Sequence, residues 1–295
     1  MSEPLSDALS EPVVVVGTDG SRAAAAAVEW AAGDAARRGL TLRIVHAVDR
    51  LPYEIARYPI SVEDQLERAG RRILEDAVQA VREIHPVVRV VPDLVEGDPS
   101  RTLRREAAGA AEIVVGNRGH GGFAGMLLGS VSMHLAGQVD VPVVVVRQGL
   151  RVPHGLVVAG VDGSAEAEAA LTYASEEARL RGCRLLVLYA WQLPVHTFAP
   201  EITYDVDEVR RAQEDYVAEM LAAHRERYPE LDAEMRAVCA HPVPTLVEAG
   251  EKADLLVVGS RGHGAVGSAV LGSVSRAVLH HAHCPVAVVR PPRRS

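Results

Sequence analysis

The stretch Ile113-Val114-Val115-Gly116-Asn117-Arg118-Gly119, followed after nine residues by Gly129-Ser130-Val131-Ser132, decides the fold of this chain. A second copy lies 143 positions on: Leu256-Val257-Val258-Gly259-Ser260-Arg261-Gly262, nine residues, then Gly272-Ser273-Val274-Ser275. Each copy reads as a buried strand, a glycine-rich loop and a helix start. A helix start leaves backbone amides unpaired and carries a partial positive charge. Glycines let an anion approach such amides closely. Ser130, Ser132 and Arg118 add hydroxyl donors and a cation, and Ser273, Ser275 and Arg261 take the same places in the second copy. Together these groups suit a polyphosphate. A single loop of this kind reads as a mere chain break; its doubling points to a ligand site.

The offset of 143 runs through most landmarks. Asp19-Gly20-Ser21 recurs as Asp162-Gly163-Ser164, Gly39 as Gly182, Thr102-Leu103 as Thr245-Leu246, and Pro142-Val143 as Pro285-Val286. Trp30 is matched by Tyr173, which places both in the core rather than at a ligand. Units this long are domains, not solenoid repeats. The expected organisation is a disordered tail over 1–11, a first domain over 12–148, a linker over 149–154 and a second domain over 155–291.

Of the 295 residues, 48% are hydrophobic and 24% charged, an ordinary globular mix. A formal net charge of −8 argues against nucleic acid as a partner. No apolar run approaches the roughly 20 residues that cross a bilayer, and the polar, acidic start resembles no secretory signal. The three cysteines, Cys183, Cys239 and Cys284, lack metal or redox spacing and suit a reducing cytoplasm.

Strands alternate with helices in both halves. Val13 to Val16 is an apolar run expected to be buried on both faces. Ser21 caps a helix whose apolar face is Ala24, Ala27, Val28, Ala31 and Ala35, and Gly39 stops it. Leu42 to Val48 is expected as strand two, Val62 to Ile84 as a long helix, and Val87 to Val95 as strand three. Asp98-Pro99 starts helix three. Ile113 to Gly116 is strand four, Ser130 to Gln138 helix four, and Val141 to Arg147 strand five. The result is an α/β chain of two repeated, doubly wound parallel five-stranded sheets. Ligands bind such sheets at the carboxyl ends of the strands, where the winding reverses. The bare apolar fifth strands, Val143 to Val146 and Val286 to Val289, are expected to pair with each other in an intrachain pseudo-dimer; a further homodimer is left open.

The turns after the first strands, Gly17-Thr18-Asp19 and Gly160-Val161-Asp162, complete the candidate sites. Asp19 and Asp162 suit a ribose or a phosphate-bound Mg²⁺; a turn aspartate bonding its own backbone is the plainer alternative. His120 and His263 repeat beside the loops, either lining the phosphate mouth or simply solvated, and Gly121, Gly122 and Gly264 follow them. No lysine makes either loop a P-loop, and no G-x-G-x-x-G follows strand one. Thr18-Asp19-Gly20-Ser21 has Gly17 where D-x-D-G-T phosphotransferases keep their nucleophile. His280-His281-Ala282-His283 has no counterpart in the first half and reads as a helix end rather than a metal site.

With these motifs in place, the chain resembles a tandem universal stress protein of the ATP-binding kind. The family pattern G-x2-G-x9-G-[ST], with an early Asp after strand one, is met twice without a gap, and the resemblance spans roughly Pro12 to Arg290. It implies an adenine-nucleotide-binding, Rossmann-like fold with sheet order 3-2-1-4-5, one ATP per half and up to two per chain. It also implies a part in stress response or growth control. By the same resemblance, Ala47 and Ala190 offer backbone groups to adenine. Gly97 precedes helix three as in nucleotide-binding members, whereas Ala240 stands there in the second half, and Thr18 becomes Val161; the second site is expected to be the weaker. The leading expectation is an ATP-binding cytoplasmic regulator without efficient catalysis. The alternatives are a slow ATPase or nucleotidyl-transfer enzyme in the same pockets, and an interaction module with vestigial pockets.

Overall fold

The structure, a computed structural model, describes residues 12–51, 60–120, 128–149, 152–193, 205–262 and 271–291. The chain divides into two compact units, Met1–Leu150 and Arg151–Ser295. The expected tail over 1–11 and part of the expected linker fall outside the described residues, as do Gly121, Gly122, His263 and Gly264.

The first unit runs β1 (Val13–Gly17), α1 (Arg22–Arg38), β2 (Thr41–Val48), α2 (Ile60–Ile84), β3 (Val90–Glu96), α3 (Pro99–Glu106), β4 (Glu112–Gly116), α4 (Ser130–Gln138) and β5 (Val143–Val146). All neighbouring strands in it are parallel, in the order 3-2-1-4-5. The second unit repeats the plan with β6 (Leu156–Val161), α5 (Ala165–Arg181), β7 (Arg184–Trp191), α6 (Val206–Arg227), β8 (Ala233–Cys239), α7 (Pro242–Gly250), β9 (Leu255–Gly259), α8 (Ser273–His281) and β10 (Val286–Val289). Its parallel order, β8-β7-β6-β9-β10, is the same winding.

Val14, Val15 and Val16 are fully buried, as a central strand covered by helices on both faces requires. The alanine face of α1 is buried as its 3.6-residue spacing predicts. Ser21 Oγ accepts the Ala24 amide at 3.2 Å, and Gly39 closes the helix at φ 67°. Asp98 Oδ1 accepts the Arg101 amide at 2.9 Å with Pro99 in the first helical turn. His280 and His281 form the last turn of α8, where basic groups suit the helix dipole.

Two strands are shorter than their apolar runs. Strand three begins at Val90, not Val87, because Pro86 has no N–H to give a ladder and a turn follows, with Val88 N–H donating to His85 O at 3.1 Å. Strand five is confined to Val143–Val146; Pro142 precedes it and cannot donate to a ladder.

The units differ on one face of the sheet. In the first, Arg43 bridges Asp93 and Glu106, the latter at 2.9 Å. The positions 143 further on hold Leu186, Arg236 and Ala249, and there a cleft of about 700 Å³ opens beside α7.

Candidate functional site

β1 and β4 are adjacent and parallel, and the winding reverses between them. At their carboxyl ends lies a cleft of about 290 Å³. Val45, Ala47, Pro99 and Leu103 line its β2 side, Gly17, Thr18 and Asp19 its middle, and Gly116, Arg118, Gly119, Gly129, Ser130, Val131 and Ser132 its β4 side. The apolar part therefore lies on the β2 side and the polar part at the start of α4. Val45, Leu103, Ala24 and Val115 are lining residues that sequence reasoning did not place in the site. The signal for Val45 was its sharing a strand face with Ala47; for Leu103 it was the repeat of Thr-Leu at 245–246.

The start of α4 is distinctive. Helices α1, α3, α5, α6 and α7 each have a side chain capping a first-turn amide, from Ser21, Asp98, Ser164, Asp205 and His241. Gly129 caps α4 and Gly272 caps α8, and neither supplies a side-chain hydrogen bond. A glycine cap leaves the first-turn amides without the partner that a Ser or Asp would bring. In both units the loop is closed by the same bonds. Gly129 N–H donates to Asn117 O and Gly272 N–H to Ser260 O, each at 2.8 Å. Asn117 N–H donates to Val146 O and Ser260 N–H to Val289 O, each at 2.7 Å.

Several expected ligand groups turn out to serve the loop itself. The Ser132 hydroxyl donates to Gly116 O at 2.8 Å, and Ser275 to Gly259 O at 2.5 Å, both buried. Their hydrogens are thus spent on the end of the fourth strand, while Ser130 and Ser273 stay exposed at the helix start. Asn117 and Ser260 are buried and hold the loop through their backbone. A Cβ on Gly97, at φ 137°, would meet Thr102 Oγ1 at 3.0 Å, so the space it leaves faces protein.

Asp19 ties the first turn to the loop. Oδ1 accepts Ser21 N–H at 3.0 Å and Oδ2 accepts His120 N–H at 2.8 Å. A Cβ on Gly119 would collide with that same carboxylate. Partial burial works to raise the Asp19 pKa; the Ser21 and His120 hydrogen bonds, with the His120 ring 3.6 Å away, outweigh it and hold the carboxyl below its usual value. The His120 ring is exposed. In the second unit Asp162 Oδ1 accepts Ser164 N–H at 3.0 Å and the Ser164 hydroxyl at 2.6 Å, and a Cβ on Gly262 would strike Asp162 Oδ2. The plainer reading of the aspartates, bonding their own turns, is therefore present in both units.

A model of the universal stress protein family matches residues 12–147 and again 155–290. The chain belongs to the universal stress protein family. Universal stress protein Mb2028c of Mycobacterium bovis is 37% identical over 286 residues, covering 94% of this chain and 96% of its own. Among solved structures, a universal stress protein from Archaeoglobus fulgidus matches at TM-score 0.69 and 22% identity over 95% of this chain and 96% of its own, a likeness of fold. A single-unit universal stress protein solved in complex with cAMP is 30% identical over 46% of this chain and 96% of its own, at TM-score 0.36. Among the described residues, no helix of this family member is long and apolar enough to cross a membrane.

Proposed function

We propose that each unit of this universal stress protein binds an adenine nucleotide, the first unit ATP with Mg²⁺, and that the chain is a cytoplasmic nucleotide-dependent regulator of stress response or growth rather than an efficient enzyme. One observation carries the reading: the cleft at the β1/β4 switch point ends on a helix whose first-turn amides have no side-chain cap. Anions are stabilised there by both the amides and the helix dipole. In this assignment the amides at 130–132 and Arg118 hold phosphates, and Ala47 with Val45 and Leu103 flanks the base. Asp19 accepts from the ribose or stands by the phosphate-bound metal through its remaining lone pairs. Mg²⁺ supplies charge neutralisation to the phosphates when bound. The chain offers no P-loop lysine, and the Asp19 carboxyl, held below its ordinary pKa, is a weak general base.

ATP-Mg²⁺ should stabilise the native state by mass action, by about 2.7 kcal/mol per site at a hundredfold excess over Kd. Thermal unfolding with and without millimolar ATP-Mg²⁺ checks this, and an unmoved Tm refutes it. Steady hydrolysis at 1 s⁻¹ or above, the low end of the common enzyme range, would instead make the protein an ATPase.

A further inference from the structure

The two glycine-loop sites differ in charge at a point the repeated motifs do not touch. In the second unit Arg261, the counterpart of cleft-lining Arg118, has its Nη2 3.0 Å from Glu166 Oε1. Both side chains are largely shielded, at 23% and 16% exposure. Glu166 sits in the first turn of α5, against the end of β9: a Cβ on Gly259 would meet the Glu166 Cβ at 2.9 Å. The position 143 residues earlier is Ala23, and α1 has no acidic residue in its first turn. The second unit thus brings a carboxylate to the glycine loop where the first has a methyl group.

We propose that Glu166 is a specificity-determining residue: it occupies Arg261 and lowers the positive potential of the second glycine-loop site, so that this site takes an adenine nucleoside with at most one phosphate in preference to a triphosphate. The inference rests on the adenine-nucleotide reading of the site and adds a division of labour to it. The physical reason is additive. A carboxylate beside an anion site repels each further phosphate charge, and the pairing engages the cation that would have met it. One neighbouring difference acts in the same sense: Val161 replaces Thr18 and removes a hydroxyl.

An acid in a first helical turn also favours its own helix, so the test must read ligand charge and not only stability. Ser130→Glu places a like charge at the exposed start of α4 and silences the first cleft for phosphates. In that background the second site is titrated calorimetrically with adenosine, AMP and ATP-Mg²⁺, with Glu166 present, as Glu166→Ala and as Glu166→Gln. With Glu166, ATP should bind no tighter than AMP. Either substitution should tighten ATP on the order of tenfold, the scale expected for removing one like charge at a partly shielded site, and leave adenosine within about twofold. ATP affinity unchanged by both substitutions, or adenosine tightening as much as ATP, overturns the role of Glu166. If no adenine ligand binds the unaltered chain at either site, the adenine-nucleotide reading falls and this inference with it.

Discussion

Gly116→Ala is expected to cost the first unit about 3 kcal/mol of stability with no ligand present, the upper end for forcing a methyl into a packed site. Sequence reasoning assigns this glycine to phosphate approach. The structure puts its missing side chain elsewhere: a Cβ would lie 2.7 Å from Ala23 C and O and 2.9 Å from Ala24 N. Those are backbone atoms of α1, so no side chain can swing aside; the helix itself must shift on the sheet. Gly259 stands in the same relation to Glu166, with backbone atoms at 2.9 and 3.0 Å. Gly129 is the contrast, since its Cβ would meet Asn117 O only at 3.5 Å. Gly129→Ala should therefore fold nearly as well as the parent, and any effect on ligand affinity it shows is a site effect. At roughly 2–4 °C per kcal/mol, Gly116→Ala should unfold about 6–12 °C lower, without ATP in the buffer. Equal melting temperatures for the two variants would refute the packing role.

The winding of both sheets was legible because continuous valine runs, an alanine helix face, and the caps Ser21, Gly39 and Asp98 all carry local signals. The tandem organisation was legible because Asp-Gly-Ser and the glycine loop recur at one offset. What local signals could not show was which atoms lie across from a residue. Gly116 and Gly119 look alike in sequence, yet one opposes the backbone of α1 and the other opposes the Asp19 carboxylate. Ser130 and Ser132 likewise look alike. Two positions, about half a turn of helix, separate an exposed hydroxyl from one consumed by Gly116 O. Glu166 escaped notice because it belongs to a helix start rather than to the loop motif, and only folding brings it to Arg261. The strand ends slipped where prolines 86 and 142 withdrew a donor, a weak signal inside an otherwise apolar run.

Asp19→Ala is expected to cost about 3 kcal/mol in the ligand-free protein, in addition to whatever it does to nucleotide binding. The carboxylate receives two amides, one from its own turn and one from residue 120 across the loop. Hydrogen bonds to a charged acceptor are worth about 1.5–3 kcal/mol each. Because the side chain is 39% exposed, the low end applies to both. The pH dependence has a definite sign. Hydrogen bonding holds the folded-state pKa of Asp19 below its unfolded value of about 3.9. Its contribution is therefore complete above that value and is lost as pH falls through the lower folded-state value. The His120 ring lies 3.6 Å from the same carboxylate but is 69% exposed, so solvent screens its share. Denaturant unfolding of parent and Asp19→Ala should show the full gap at pH 5 and a much smaller one near pH 2.5. Asp19→Asn, which keeps an acceptor oxygen but not the charge, should fall between them at pH 5. A gap that stays constant down to pH 2.5, or an Asn variant as unstable as the Ala variant, would show that the charge is not what ties the turn to the loop. If instead the ligand-free gap is absent and only nucleotide affinity drops, the two amides contribute nothing measurable and Asp19 acts on the ligand alone.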